Sequence, residues 1–339
     1  MLCRSCNILL KHFKPKLNTS RRLKSQTAAD NRDPAPLFFN SDMQQLLKKL
    51  TRVDFRIVFR KKRYGERLET PEYKFLTTEE LEKFMKNAEE KAEQKLQMPP
   101  VVKKRSEEPE ILSRDYELQG YSDSKFVFTD ITFGVSDRER MIVVREPNGE
   151  LRKALPEERH RMNEAYFPEP GRKIRMPKMF EQEHLKRVLD EGNYEFVLDR
   201  ACIQFEPDDP KYEAVTKATY EAVDVAQHYS SLRSTRHFGP FAFHLAWNKC
   251  IDNLLLDLIQ TDKLDEAVAL IQLYHVVNPD AKSASTKFET GQEHKFINEY
   301  VTCDSNKRSV LELAMQSNAE LHRQKAAVEI GIRKAHVQT

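Results

Sequence analysis

Segment 55–64 carries the residue types that contact RNA, because basic and aromatic side chains alternate there. Lysine and arginine neutralise phosphates, and aromatic rings stack on unpaired bases. The same rings could instead pack in a core, and the charges could belong to a solvated loop. The RNA-binding candidates of this first cluster are Arg56, Arg60, Lys61, Lys62 and Arg63, and its rings are Phe55, Phe59 and Tyr64.

Two further basic clusters lie in segments whose patterns indicate loops. Loop placement favours contact with a partner, since nothing in helix packing requires charge there. The alternative for both clusters is solvated charge, and the arginines of the third could equally pair with carboxylates of another protein. The second cluster contributes the RNA-binding candidates Arg172, Lys173, Arg175 and Lys178, and the third contributes Arg233 and Arg236.

Motifs of enzyme sites are missing from the sequence. The closest two glycines, Gly120 and Gly134, are 14 positions apart, which excludes dinucleotide-binding and Walker-type phosphate loops. Neighbours such as Glu183 and His184 point about 100° apart on a helix, so such a pair forms no site by itself. We therefore predict no enzyme activity, no cofactor and no small-molecule substrate. A matrix enzyme with dispersed catalytic residues is an alternative, because it would escape a motif search.

The five cysteines indicate no metal site either. Cys3 and Cys6 form a C-x-x-C without a second pair of ligands, and zinc needs four. Cys202, Cys250 and Cys303 are isolated among helix-forming residues. We expect these three to be buried free thiols.

The N-terminal segment contains seven basic residues before the first carboxylate, that of Asp30. Its interspersed apolar residues favour an amphipathic mitochondrial presequence over a basic RNA-binding arm. We predict a transit peptide over residues 1–29 and a location in the mitochondrial matrix. The formal net charge is +3, so removing the segment leaves about −4. RNA contacts must then be local, because the mature chain is not a polycation.

The N-terminal third after this segment has helical patterns. Apolar spacing predicts a helix with its N-cap at Ser41 or Asp42. Thr77 and Glu80 form a capping box for a helix of about five turns. Residues 103–109 have no periodicity and are typical of a linker. No apolar run in the chain approaches the roughly 18–20 residues of a membrane span.

The β signal is confined to the middle of the chain. Segment 126–133 is rich in β-branched and aromatic residues, and 141–145 and 151–153 follow it. Pro and Gly in 146–149 predict the turn between the last two. Three short strands make an antiparallel meander, which needs a helix to cover its apolar face.

The C-terminal half has the pattern of packed helices with interruptions at 167–178, 205–210 and 278–280. We expect Asp262 to be the N-cap of the helix that ends at 278–280. Helices joined by two or three residues pack antiparallel, so we expect helical hairpins. His275 is expected to pack against the next helix rather than to bind a metal. The array shows no fixed repeat period.

Six stretches of the sequence carry a family resemblance. They are Lys125–Ile131, Arg138–Pro147, Phe167–Pro168 with Gly171–Ile174, Gln204–Asp208, Leu232–Gly239, and Leu273–Val276 with Pro279–Asp280. In this order, the chain resembles the small-subunit ribosomal protein twenty-two family of the animal mitochondrial ribosome over roughly residues 40–280. The resemblance implies a structural, non-catalytic component of that subunit, which contacts its ribosomal RNA and neighbouring ribosomal proteins. It assigns no particular binding residues.

The patterns together predict an α+β fold that is predominantly α-helical. After the presequence 1–29 we expect a helical region with the basic segment and linker over 30–110. A small antiparallel β-meander with a covering helix follows over 111–180, and a C-terminal helical-hairpin array over 181–339. The hypothesis for function is a structural component of the mitochondrial small ribosomal subunit. The alternative is a matrix helical adaptor or assembly factor that binds proteins without RNA.

Overall fold

The computed structural model describes residues 32–60, 73–105, 108–137 and 139–337, and the predicted transit peptide lies outside these ranges. Among the described residues, four helices precede the sheet: α1 (Ala35–Phe38), α2 (Ser41–Thr51), α3 (Phe55–Val58) and α4 (Thr78–Lys95). The strands are β1 (Ile111–Arg114), β2 (Phe126–Thr129), β3 (Ile142–Arg145) and β4 (Glu150–Lys153). The later helices are α5 (Pro156–Tyr166), α6 (Gln182–Asp190), α7 (Tyr194–Gln204), α8 (Pro210–Ala226), α9 (Phe238–Trp247), α10 (Asp252–Gln260), α11 (Leu264–Val277), α12 (Glu293–Cys303) and α13 (Arg308–Val337). The predominantly helical α+β prediction is confirmed.

The capping signals locate the first helices closely. Thr77 accepts a hydrogen bond from the Glu80 N–H, and the Glu80 carboxylate accepts one from the Thr77 N–H at 2.9 Å, so the predicted capping box is present. At α2 the prediction is one or two residues late. The N-cap is Asn40, whose side chain accepts from the Asp42 N–H at 3.0 Å.

The sheet contains the predicted meander and one strand more. Its order is β1-β4-β3-β2, with every pair antiparallel. β1 escaped sequence analysis because its four residues, Ile-Leu-Ser-Arg, do not alternate between apolar and polar. Ile142 and Val144 are buried on one face, whereas Phe126 and Phe128 on the other face are exposed.

The C-terminal helices and α2 form the main hydrophobic core. α2 packs against α9 and α11, and α10 packs against α11 and α13. The turn 261–263 joins α10 to α11, as the predicted hairpin requires. His275 of α11 packs against α12, as predicted: its ring meets Phe296 edge-on at 5.7 Å, and its Nε2 lies 2.7 Å from the Ser283 hydroxyl. No described helix is long and apolar enough to cross a membrane.

Asp262 does not cap α11, contrary to the prediction. The N-cap position belongs to Lys263, and Asp262 lies in the left-handed region with φ of 58°. Its carboxylate accepts hydrogen bonds from Asn318 at 3.1 Å, His322 at 2.7 Å and Lys325 at 2.9 Å, all on α13. These bonds, the one from Lys325 foremost, hold the pKa of Asp262 well below its usual range. We call this group of four residues the Asp262 clasp.

The predicted linker 103–109 is held by the fold at Arg105. Its guanidinium lies 3.1 Å from Glu206 and 2.7 Å from Asp209, and its N–H donates to the Asp208 carbonyl at 3.0 Å. Arg105 is therefore held against the acidic turn between α7 and α8. Asp33–Thr339 forms one compact unit, and the subdivisions at 110 and 180 stay predictions.

The three isolated cysteines are free, but the expectation that they are buried is wrong for two of them. Cys202 is partly buried on α7, and burial raises the pKa of its thiol. Cys250 and Cys303 are exposed. Both lie at helix ends, in the turn after α9 and at the last residue of α12, where the chain leaves the core.

Candidate RNA interface

The third basic cluster is part of the helical core. The Arg233 side chain is only 11% exposed, and its Nη1 lies 2.5 Å from Oε2 of Glu266 on α11. Arg52, after α2, reaches the other oxygen of Glu266 at 3.3 Å. The Arg233 guanidinium also lies over the ring of Phe238, 5.2 Å from its centroid. Its Nη2 lies 3.8 Å from Asp257 of α10. Arg233 thus joins α9, α10 and α11, and the assumption that helix packing requires no charge here was wrong.

Arg236 is turned toward its own chain as well. Its Nη2 lies 2.7 Å from Oδ1 of Asp199 on α7, and His237 Nε2 lies 2.9 Å from the same oxygen. The His237 ring is buried, and this burial lowers its pKa despite the neighbouring carboxylate. The sequence alternative of arginine–carboxylate pairing therefore describes this cluster, with the carboxylates supplied from within the chain.

Arg172, the first candidate of the second cluster, is also a structural cation. Its side chain is 7% exposed, and four carboxylates lie 3.5–3.9 Å from its guanidinium. It also donates to the Gln204 carbonyl at 3.2 Å. The carboxylates belong to Asp137, Glu164, Glu169 and Glu206. Arg172 therefore ties the β2–β3 connection, α5 and the acidic turn together and leaves no face open for a phosphate.

The three other candidates of the second cluster, Lys173, Arg175 and Lys178, have exposed side chains. No ion pair joins them to a carboxylate among the residues that the structure describes. The backbone is held at the first of these residues, because Lys173 exchanges hydrogen bonds of 3.1 and 2.7 Å with the Gln204 side-chain amide. His160 of α5 also lies 3.1 Å from the Lys173 carbonyl. We call residues 173–178 the basic strip.

A cleft of about 640 Å³ lies beside the basic strip. Ile174 and Met176 of the strip form part of its wall, together with Phe205 and residues of α5. The volume falls in the range of roughly 300–1,000 Å³ that suits small ligands. Carboxylates in the wall are paired with cations: Glu158 with Arg152, Glu206 with Arg105 and Glu157 with Lys211.

The first basic cluster is described only up to Arg60. Arg56 is exposed, without a carboxylate partner in the described ranges, whereas Arg60 lies 2.5 Å from Glu195. Phe55 and Phe59 stack on each other at 6.1 Å, and the Lys95 ammonium lies 4.7 Å over the Phe59 ring. The remaining residues lie outside the described ranges, and they are Lys61, Lys62, Arg63 and Tyr64.

Sequence reasoning missed the carboxylates that decide which cations are available. Glu206 and Asp209 contact Arg105, and Glu206 also approaches Arg172. The one sequence signal was the dense acidic turn 206–209, which we interpreted only as a break between helices. Within the described ranges no group of three His, Cys, Asp or Glu side chains could hold a metal ion.

Comparison with known proteins decides the family. A family model described as mitochondrial 28S ribosomal protein S22 matches residues 36–279. This chain belongs to that family. Two relatives are named small ribosomal subunit protein mS22. The mouse relative is 39% identical over 304 residues, which cover 89% of this chain and 84% of the relative. The bovine relative is 40% identical over 286 residues, covering 84% and 79%.

Family membership confirms the resemblance found in the sequence. The mitochondrial location and the structural, non-enzymatic character predicted from the sequence are confirmed with it. The matched range contains the sheet, the acidic turn, the basic strip and the helices up to α11. It ends before α12 and α13.

Proposed function

We propose that this protein is a structural component of the mitochondrial small ribosomal subunit that contacts ribosomal RNA through the basic strip and the first basic cluster. Its other surfaces bind neighbouring ribosomal proteins. The observation that carries the RNA contact is the basic strip, where three exposed cations lie within six residues and Gln204 and His160 hold the backbone at Lys173. Cations on a fixed backbone contact phosphates with little loss of backbone entropy.

The charge distribution supports local RNA contact. Arg172, Arg233 and Arg236 are engaged by carboxylates of the chain itself. These three arginines are therefore not counted among the RNA contacts. The exposed cations of the strip remain, and they lie on one surface. Such a protein contacts phosphates through a few local segments and uses the remainder of its surface for protein contacts.

Sedimentation of mitochondrial lysate tests the assembly. We expect the full-length chain to migrate with the small subunit and to stay with it after washing at moderate salt. A chain that remains at the top of the gradient would contradict the proposed function.

Ultraviolet crosslinking followed by RNA recovery tests the strip. Replacing Lys173, Arg175 and Lys178 with Ala should remove RNA crosslinks from this segment and weaken incorporation into the subunit. A matched control replaces three exposed helix arginines that have carboxylate partners of their own, and these are Arg187, Arg308 and Arg323. The control loses the same charge and should crosslink normally. If the two variants crosslink to RNA and incorporate equally well, the strip is solvated charge and not an RNA contact.

The first cluster is tested in the same way. Replacing Lys61, Lys62 and Arg63 with Ala should weaken incorporation and lower its sensitivity to salt, because up to three phosphate contacts are lost. If neither cluster crosslinks to RNA while the chain still sediments with the subunit, the adaptor that binds proteins without RNA is the better description.

A further inference from the structure

β2 is an edge strand of the four-stranded sheet. It pairs with β3 on one side, and no described strand lies on the other. The bond from the Asp130 N–H to the Met141 carbonyl, 3.0 Å long, continues the β2–β3 ladder and fixes its phase. In an antiparallel ladder only alternate residues bond to the partner strand. Phe126 and Phe128 therefore bond to β3, and the N–H and C=O groups of Val127 and Thr129 point to the open edge.

The two edges of the sheet differ in their protection. At the β1 edge the register with β4 shifts between Ile111 and Ser113, and such irregularities hinder the pairing of a further strand. At the β2 edge the register is regular over all four residues. The β2 sequence, Phe-Val-Phe-Thr, contains neither proline nor charge, the usual devices against edge pairing. The β2 edge is therefore competent to pair.

Apolar side chains accompany this edge. Phe126 is 49% exposed and Phe128 is 56% exposed, and both lie on the same face of β2. Beyond the end of the strand, Ile131 and Phe133 are exposed by 66% and 87%. Large exposed apolar side chains grouped along one segment are typical of a site of interaction.

The backbone and the charges define the chemistry of the occupant. Two outward donors and two outward acceptors, spaced two residues apart, match the backbone of an extended peptide. Segment 121–135 contains one lysine and two aspartates, and Lys125 is already bonded to Glu146 at 2.9 Å. Phosphates find no free cation in this segment, so RNA does not fit the edge.

The size of the edge argues against a second copy of the chain. Four strand residues span about 13 Å, and pairing two such strands buries far less than the roughly 1,200–2,000 Å² of a stable interface. A strand from a protein that is already held in the same assembly needs no such area, because its effective concentration is high.

We propose that β2 receives a fifth strand from a neighbouring protein of the small subunit, with apolar side chains at the alternate positions that face Phe126 and Phe128. This proposal rests on the proposed function, because it takes the partner from the same assembly.

Hydrogen exchange at single amides tests the edge directly, in the free full-length protein and in the purified small subunit. In the free protein the Phe128 amide should be protected by β3, and those of Val127 and Thr129 should exchange fast. In the subunit these two amides should slow by at least about tenfold. Unchanged exchange in a chain that sediments with the subunit would overturn the proposal and leave the proposed function standing. Failure to sediment would instead remove the proposed function.

A proline variant provides a second test. Val127→Pro removes one outward N–H and spares the ladder with β3, since proline is tolerated on edge strands. It should reduce incorporation several-fold, whereas the control Val127→Ala keeps the N–H and should incorporate normally. A photocrosslinker in place of Phe128 should attach to another protein of the subunit. Crosslinks to RNA or to a second copy of the chain would overturn the proposal. If the proline variant does not fold, the hydrogen-exchange experiment on the unmodified protein decides the question.

Discussion

In the loop that contains Arg233 and Arg236, each guanidinium lies within 2.7 Å of a carboxylate of the same chain. In the basic strip, the side chains of Lys173, Arg175 and Lys178 are exposed. Both segments are short, basic and placed between helices. They differ because the first crosses the helical core, where α7 and α11 supply carboxylates, whereas the second runs along its surface.

A cation that pairs within the chain and a cation that is exposed can be adjacent residues. Arg172 is buried among four carboxylates, and its neighbour Lys173 has an exposed side chain. A basic cluster in a sequence is therefore a mixture of structural and available cations. The carboxylates that sort them lie more than 30 positions away in several cases, as Asp137 does from Arg172 and Glu266 from Arg233.

The largest expected effect comes from Arg172. Replacing it with Met removes the neighbouring cation from the buried Glu164 and the largely buried Asp137, and we expect the free energy of unfolding to fall by about 4 kcal/mol. Urea denaturation of the full chain measures this, with Arg175→Met as the matched control. The control should change stability by less than about 0.5 kcal/mol, because its side chain is exposed. Equal losses in both variants would remove the distinction between the two neighbours.

Arg233→Met should cost somewhat less, about 3 kcal/mol, because Arg52 still approaches the buried Glu266 after the change. Lys178→Met serves as the control from the strip and should unfold at the wild-type urea concentration. If Arg233→Met left the free energy of unfolding unchanged, the core would not depend on this ion pair.

The strip should show its effect in salt dependence instead of stability. Replacing Lys173, Arg175 and Lys178 with Ala should reduce the slope of log K against log salt by about 2 for a single-stranded segment, since each phosphate contact contributes about 0.7. Filter binding to a fragment of the mitochondrial small-subunit ribosomal RNA measures the slope. Arg236→Ala, from the paired loop, should leave the slope unchanged, and a decrease there would contradict the comparison.

The smallest expected effect is on the pH dependence of stability. Burial lowers the pKa of His237, so the unfolded chain binds a proton at this residue more tightly than the folded chain. The stability that depends on neutral His237 is fully present above the ordinary imidazole pKa of about 6.5 and is lost as the pH falls below it. Denaturation at pH 7.5, 6.5 and 5.5 should show a weaker pH dependence for His237→Gln. An equal pH dependence in the wild-type protein and in the variant would contradict this expectation.

Local signals predicted much of the fold. The capping box at Thr77 and Glu80, the turn at 146–149 and the stop at 205–210 depend on neighbouring residues, so sequence alone located them. β1 could not be found in this way, because it is stabilised by pairing with β4, whose residues lie about 40 positions later in the chain. Asp262 was misassigned for the same reason, since its partners on α13 lie 56–63 residues later.

The candidate interface was less accessible to sequence analysis than the fold. The basic composition identified the segments, but the exposure of each cation depends on carboxylates that tertiary structure brings near. Of the described candidates, Arg60, Arg172, Arg233 and Arg236 lie beside carboxylates of their own chain, whereas Lys173, Arg175, Lys178 and Arg56 are exposed without such a partner in the described ranges. No local pattern distinguishes the two groups.

The Asp262 clasp has a consequence for how α13 forms. The helix continues to Val337, about 12 residues and 18 Å beyond Lys325. A helix of that length is marginal by itself, because nucleation is costly and propagation adds little per residue. The turns that are docked through the buried Leu311 and Met315 and through the clasp therefore provide the nucleus from which the last three turns propagate. A carboxylate in the turn between two other helices thus extends the docked part of α13 as far as Lys325.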